Sequence, residues 1–167
     1  SWFETIRSQP DKLSLVTSVD DIYKAKADDK LGIIFHFQGS LPFQDDPNLV
    51  EVYYRLGVRM CQLCYNTTDR VGSGCAVDVD EGLTEFGEQI IGEMNRLGMV
   101  VDCAHTGIRT TMDAIRVSRQ PVIISHGNAK AICASARNLD DELMQAVAAN
   151  GGVIGFNGYP AFVAKKE

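Results

Sequence analysis

With 167 residues, 45% of them hydrophobic and 23% charged, the chain has the apolar content of one folded domain spanning 1–167 rather than of a disordered segment. Its net charge of −6, with no basic run, argues against a nucleic-acid partner. No apolar stretch approaches the ~20 residues of a membrane span. The start, Ser1-Trp2-Phe3-Glu4, lacks the basic and apolar regions of a signal peptide.

The elements alternate along the chain. Leu13 to Val16 reads as a short strand, followed by a helix from about Val19 to Asp28. Ser18 is its cap, and Asp20 and Asp21 sit in its first turn, where the helix dipole favours anions. Leu31 to Phe37 is a near-continuous apolar run, as in a strand covered on both faces. A helix from Asn48 to Leu56 stops at Gly57, and Val58 to Tyr65 is the next strand. The polar stretch from Asn66 to Gly82 is too long for a mere connector, and such loops usually carry function. Thr84 then opens a helix to Leu97, with Phe86, Ile90, Ile91, Met94 and Leu97 at helical spacing and Gly98 as its stop. The strand Met99 to His105, a helix from Ile108 to Ser118, the strand Pro121 to His126, a helix from Asp140 to Ala149 and a last strand, Val153 to Asn157, complete the chain.

Strict β/α alternation specifies a parallel sheet covered by helices. Six strands suit an open doubly wound sheet, or most of a (β/α)8 TIM-type barrel, which typically takes ~250 residues. No G-x-G-x-x-G follows a strand, which disfavours the dinucleotide-binding open sheet. Polar groups at the ends of several strands (Gln38, Tyr65, His105, His126 and Asn157) favour the barrel, here an incomplete one.

His105 and His126 each end an apolar strand, and the helix between them makes those strands parallel, so both fall on one rim. Strand alternation puts Val101, Cys103 and His105 on one face, with Asp102 and Ala104 on the other; His36 shares a face with Gln38. Two imidazoles on one rim suit a divalent ion such as zinc, although zinc sites use three or four protein ligands. Spacing alone leaves a metal pair and two hydrogen-bonded structural histidines both open. Arg137, on the loop after the second histidine, has the fork to hold a substrate carboxylate, or is a solvated loop arginine. Tyr65 offers a hydroxyl at the rim, or is a packed interfacial ring. Cys61 and Cys64 spell C-x-x-C without a second such pair, and strand alternation points them apart. Five cysteines, an odd number in apolar segments, imply reduced thiols and a cytoplasmic location.

Several blocks together resemble the membrane (renal-type) dipeptidase family. They are Gly82-Leu83-Thr84-Glu85-Phe86-Gly87, the run from Met94 to His105, Ser118 to His126, and Ala134 to Asp141, in matching order and spacing from about Ser14 to Phe156. The resemblance implies an amidohydrolase-superfamily barrel that binds two zinc ions at its mouth and hydrolyses dipeptides or related small amides. His105 and His126 then match the two ligands of the second zinc, and Arg137 the arginine that holds the substrate carboxylate. Tyr65 falls where members can carry a histidine contacting the scissile peptide. Gln38 falls where many carry a glutamate bridging both metals; as a neutral amide it is a poor substitute. The expected ligands of the first strand and the aspartate of the eighth have no match, so the chain reads as strands two to seven of eight. The expected consequences are a single, weakly held ion near Gln38 and the histidines, impaired hydrolysis, and sheet edges open to self-association. The alternative is a catalytically silent protein that binds a small carboxylate.

Overall fold

The computed structural model describes residues 1–164. Six helices and seven strands follow in chain order: α1 (Trp2–Ser8), β1 (Leu13–Leu15), α2 (Val19–Ala27), β2 (Leu31–Ile33), β3 (Phe35–Phe37), α3 (Leu49–Arg55), β4 (Val58–Gln62), α4 (Glu85–Leu97), β5 (Val100–Asp102), α5 (Ile108–Val117), β6 (Ile123–Gly127), α6 (Asp141–Ala149) and β7 (Val153–Phe156). All the pairings between strands are parallel. β1 pairs with β2, and a second sheet runs β3-β4-β5-β6-β7. Within each sheet every strand pairs with its neighbour in sequence with no reversal of order, the progression of a barrel wall rather than of a doubly wound sheet.

The expected single strand from Leu31 to Phe37 is interrupted at Ile34. Its first half pairs with β1 on one side, Leu31 to Leu13, and its second half with β4 on the other, Phe35 to Val58. Staggered pairing of this kind accompanies strands tilted against a barrel axis. Arg59 bridges the step: its Nε donates to the Thr17 carbonyl at 2.7 Å, Nη1 donates to the Tyr54 and Val58 carbonyls, and the guanidinium lies 3.8 Å from the Tyr54 ring centre. Helix α1 is not visible in the sequence pattern because it buries no residue fully; its Phe3 ring lies edge-on to Phe35, and Thr5 and Ile6 are half-buried.

Local signals otherwise act where they stand. The Ser18, Thr84 and Asp140 side chains accept from the backbone N–H groups of Asp21, Gly87 and Leu143, and Gly98 closes α4 with φ 80°. The main core lies between the β3–β7 sheet and its helices, around Leu63, Ile90, Ile91, Met94, Val101, Ile124 and Leu143. From the N-terminal segment before β3, only Val16 and Ala25 are buried hydrophobics, and neither joins that core.

Helix α5 has no side-chain cap of its own: Gly107 precedes it. Asp80, from the long loop, supplies one, its Oδ2 accepting from the Arg109 and Thr110 N–H groups and its Oδ1 from the Thr110 hydroxyl. A Cβ at residue 107 would come within 2.2 Å of that carboxylate, so the glycine makes room for the cap. Replacing a capping side chain by alanine typically costs about 1 kcal/mol. Asp80→Ala is therefore expected to lower the unfolding free energy by that amount, read as a lower urea midpoint at unchanged slope, with Asp80→Asn losing less. An unchanged midpoint for Asp80→Ala would show that the cap contributes nothing.

Candidate active site

β5 ends at Asp102, three residues short of the expected strand end, and a turn centred on Ala104 and His105 follows, closed by the Thr106 N–H donating to the Cys103 carbonyl. Within that turn His105 has φ 61°, in the left-handed region. That conformation costs a non-glycine residue roughly 1–2 kcal/mol, and the long loop holds it: the His105 carbonyl accepts from the Asn66 and Cys75 N–H groups. Gly74 permits the close approach, since a Cβ there would sit 2.1 Å from the Asn66 backbone. Strand alternation therefore does not set the direction of His105; the turn does. β6 carries a register shift between Ile124 and Gly127, so alternation is broken around His126 as well.

These turns bring the two histidines together. Nε2 of His105 lies 2.9 Å from Nε2 of His126. Both Nδ1 atoms are engaged from behind, His105 with Asn66 Oδ1 at 2.7 Å and His126 with Ser125 Oγ at 2.8 Å. Tyr65 is about half exposed and stacks on the His105 ring, with centres 4.2 Å apart and planes 22° off parallel. Arg137 is only 7% exposed. Its Nη2 donates to the His126 carbonyl at 3.0 Å, while its Nε is buried without a partner. Among the described residues Arg137 makes no ion pair with a carboxylate. A buried charge in that state pays its desolvation cost uncompensated, which suits a site that receives an anion. Gln38 follows β3, is exposed, and hydrogen-bonds neither histidine among the described residues.

Behind the pair sits Asp102, fully buried. Its carboxylate accepts from the Ala104 and Ser125 N–H groups and the Ser125 hydroxyl, and His36 Nε2 stands 3.1 Å away, off the hydrogen-bond axis. Burial pushes this carboxyl up, but the contacts from His36, Ser125 and Ala104 outweigh it and hold it below the usual carboxylate value. Asp102, Ser125 and Asn66 were absent from the sequence-based site. An aspartate inside the apolar run Val100-Val101-Asp102-Cys103 was the one signal available. β4 stops at Gln62, so Cys64 lies past the strand and alternation does not set its direction; the Cys61 thiol reaches the Gly39 and Gln62 carbonyls, the Cys64 thiol reaches Asp69, and all five cysteines are free.

Burial, Arg137 and His126 together push His105 down to about 4; burial and Arg137 lower His126 as well, against the pull of Asp102. Both rings are thus neutral at pH 7, the form that binds metal. Two neutral imidazoles at this separation can both reach one ion at zinc–nitrogen distances of about 2.0–2.1 Å, so the donors fit part of a zinc sphere. Among the described residues no group of three or more His, Cys, Asp or Glu converges as a metal site.

Residues 2–167 match the family described as Membrane dipeptidase (Peptidase family M19). The chain belongs to that family. It is similar to an amidohydrolase from Pseudomonas aeruginosa, with 39% identity, a TM-score of 0.90 and coverage of 93% of this chain and 47% of that one. A metallo peptidase from Rhodobacter sphaeroides, solved with a phosphinate mimic of the dipeptide L-Ala-D-Ala, matches with 26% identity, a TM-score of 0.91 and coverage of 98% and 48%. The Dipeptidase aclJ of Aspergillus oryzae is 31% identical over 92% of this chain and 37% of its own length. The chain thus spans about half or less of these relatives, and its fold is a parallel α/β sheet that superposes on part of the family's TIM-barrel structures. No helix among the described residues is long and apolar enough to cross a membrane.

Because the folded state holds His105 and His126 below the unfolded value of about 6.5, acid favours the unfolded chain, which takes up protons the native site refuses. For the metal-free protein, stability should rise with pH between about 4 and 6.5. Thermal melts at pH 7 and pH 5 test this against His105→Gln, which should lose less on acidification. An equal loss in both proteins would assign the acid sensitivity to other groups.

Proposed function

We propose that this chain carries the second-metal half and the carboxylate anchor of a zinc-dependent dipeptidase acting on dipeptides or related small amides. The observation that carries the reading is the His105–His126 pair, Nε2 atoms 2.9 Å apart, beside a buried arginine with an unpartnered Nε. Membership of the dipeptidase family and the relative that holds a dipeptide mimic support it. His105 and His126 would hold the ion. When bound, zinc supplies Lewis-acid polarisation and a nucleophile at neutral pH. Arg137 offers Nε and its free Nη to the terminal carboxylate of a substrate, a charge-assisted fork that fixes the peptide's register. Tyr65 covers one face of His105, and its hydroxyl would be the donor to a developing oxyanion. The five free thiols fit a reducing, cytoplasmic setting.

A second reading is a silent relative that binds a small carboxylate without cleaving it. The neutral Gln38 and the two-histidine donor set favour it. Turnover of a dipeptide panel by the zinc-supplemented protein, alongside binding of a phosphinate dipeptide mimic, separates the two. For a hydrolase, Arg137→Ala should cut kcat/KM by roughly 10–100-fold, mainly through KM, the loss expected for a hydrogen bond to a charged group. Binding that depends on Arg137 without any turnover would sink the hydrolase reading. Binding and turnover both indifferent to Arg137 would remove the anchor.

A further inference from the structure

Which nitrogen of each ring carries the proton follows from the groups behind the histidines. A serine hydroxyl has one proton to give, and an ionised carboxylate has none. Ser125 Oγ lies 2.5 Å from Asp102 Oδ2 and 2.8 Å from His126 Nδ1. The short contact to the carboxylate needs a proton between the oxygens, and only the serine can supply it. With that proton committed, Ser125 Oγ can only accept from His126, so His126 carries its proton on Nδ1 and Nε2 is bare. Asn66 Oδ1 is likewise an acceptor, taking the Cys75 thiol at 3.5 Å as well as His105 Nδ1 at 2.7 Å, so His105 is protonated on Nδ1 too. Two bare lone pairs then face each other across 2.9 Å. Neither can donate to the other, and the arrangement is repulsive until a cation lies within reach of both.

Without the carboxylate the balance reverses. Ser125 would turn its proton to His126 Nδ1, His126 would carry its own on Nε2, and that N–H would donate across to His105. The pair would then satisfy itself and close to a cation. We propose that Asp102, acting through Ser125, is the positioning residue that fixes His126 as the Nδ1–H tautomer and, with Asn66 doing the same for His105, leaves both Nε2 lone pairs bare for one divalent cation within reach of both. The purpose of the device rests on the metal-site reading above; the tautomers themselves do not.

The test is made on the metal-free protein at about pH 7.5, a unit above the free imidazole value of about 6.5. Long-range proton–nitrogen correlation spectra report the protonated nitrogen of each ring directly. The wild type should show Nδ1–H on both His105 and His126. Ser125→Ala should move His126 to Nε2–H and weaken Zn²⁺ binding, measured by competition with a chromophoric chelator, by roughly 10–100-fold. Ser125→Thr, which keeps the hydroxyl, should restore both readings. A merely structural serine would lower the melting temperature of the alanine variant without moving the proton. Nε2–H on His126 in the wild type, or Nδ1–H retained in Ser125→Ala, overturns the proposal. A flipped tautomer with unchanged zinc affinity overturns its link to the cation. Nδ1–H on both rings in a wild type that binds no zinc supports the tautomer assignment and overturns the functional reading instead.

Discussion

A carboxylate withdrawn from water must have its lone pairs filled by donors, and the rim of this sheet is organised around one such group. Between β5 and β6 the ladder contributes a single residue pair, Asp102 with Ile123. Beyond it the Ser125 N–H is held not by a backbone carbonyl but by the Asp102 side chain, which also takes the Ser125 hydroxyl and the Ala104 N–H. One residue thus ends β5, fixes the turn that follows and stands in for the missing ladder to β6. His36, from β3, closes on the same carboxylate across β4. Removing that charge would leave the Ser125 N–H and hydroxyl and the Ala104 N–H facing an empty centre, and the cost of unsatisfied buried groups exceeds the net worth of the bonds lost.

The long loop serves the same end from outside. Asn66 and Cys75 together hold the His105 carbonyl, Asn66 holds its ring, and Asp80 further along caps the helix that starts just after it. The loop is anchored in turn by Asp69, which accepts from the Val71 and Gly72 N–H groups, the Ser40 hydroxyl and the Cys64 thiol. A left-handed backbone at a histidine is retained only where the surroundings over-determine it, and here both the carbonyl and the imidazole are clamped. The result is a histidine that is rigid before any ligand arrives.

What could be read from the chain was local. Caps at Ser18, Thr84 and Asp140, the stop at Gly98 and the amphipathic face of α4 involve residues within a turn of one another, and they give the element order from β1 onward, apart from the break at Ile34. The rim positions of His105, His126 and Arg137 follow from element order alone. What failed needed three dimensions. Alternation assigned Asp102 and His105 to opposite faces, but the strand stops at Asp102 and a turn re-aims the imidazole. Asn66 reaches His105 from 39 residues away, and Asp80 caps a helix that begins 28 residues later, separations at which a single sequence shows no pattern. The break at Ile34 reflects partners on either side of one strand, which only the assembled sheet can set.

That break divides the molecule's cohesion. Hydrogen bonds within each sheet are parallel ladders, but the two ladders meet only at a single residue, and the segment before β3 lends no side chain to the main core. Arg59, with its grip on the Thr17 carbonyl, is one of the few polar ties across the step. Cooperative units of a native protein open independently where few buried contacts join them. The segment carrying β1, α2 and β2 is thus expected to open as a unit of its own, its amides exchanging with solvent ahead of those in the strands that carry the histidines and Asp102.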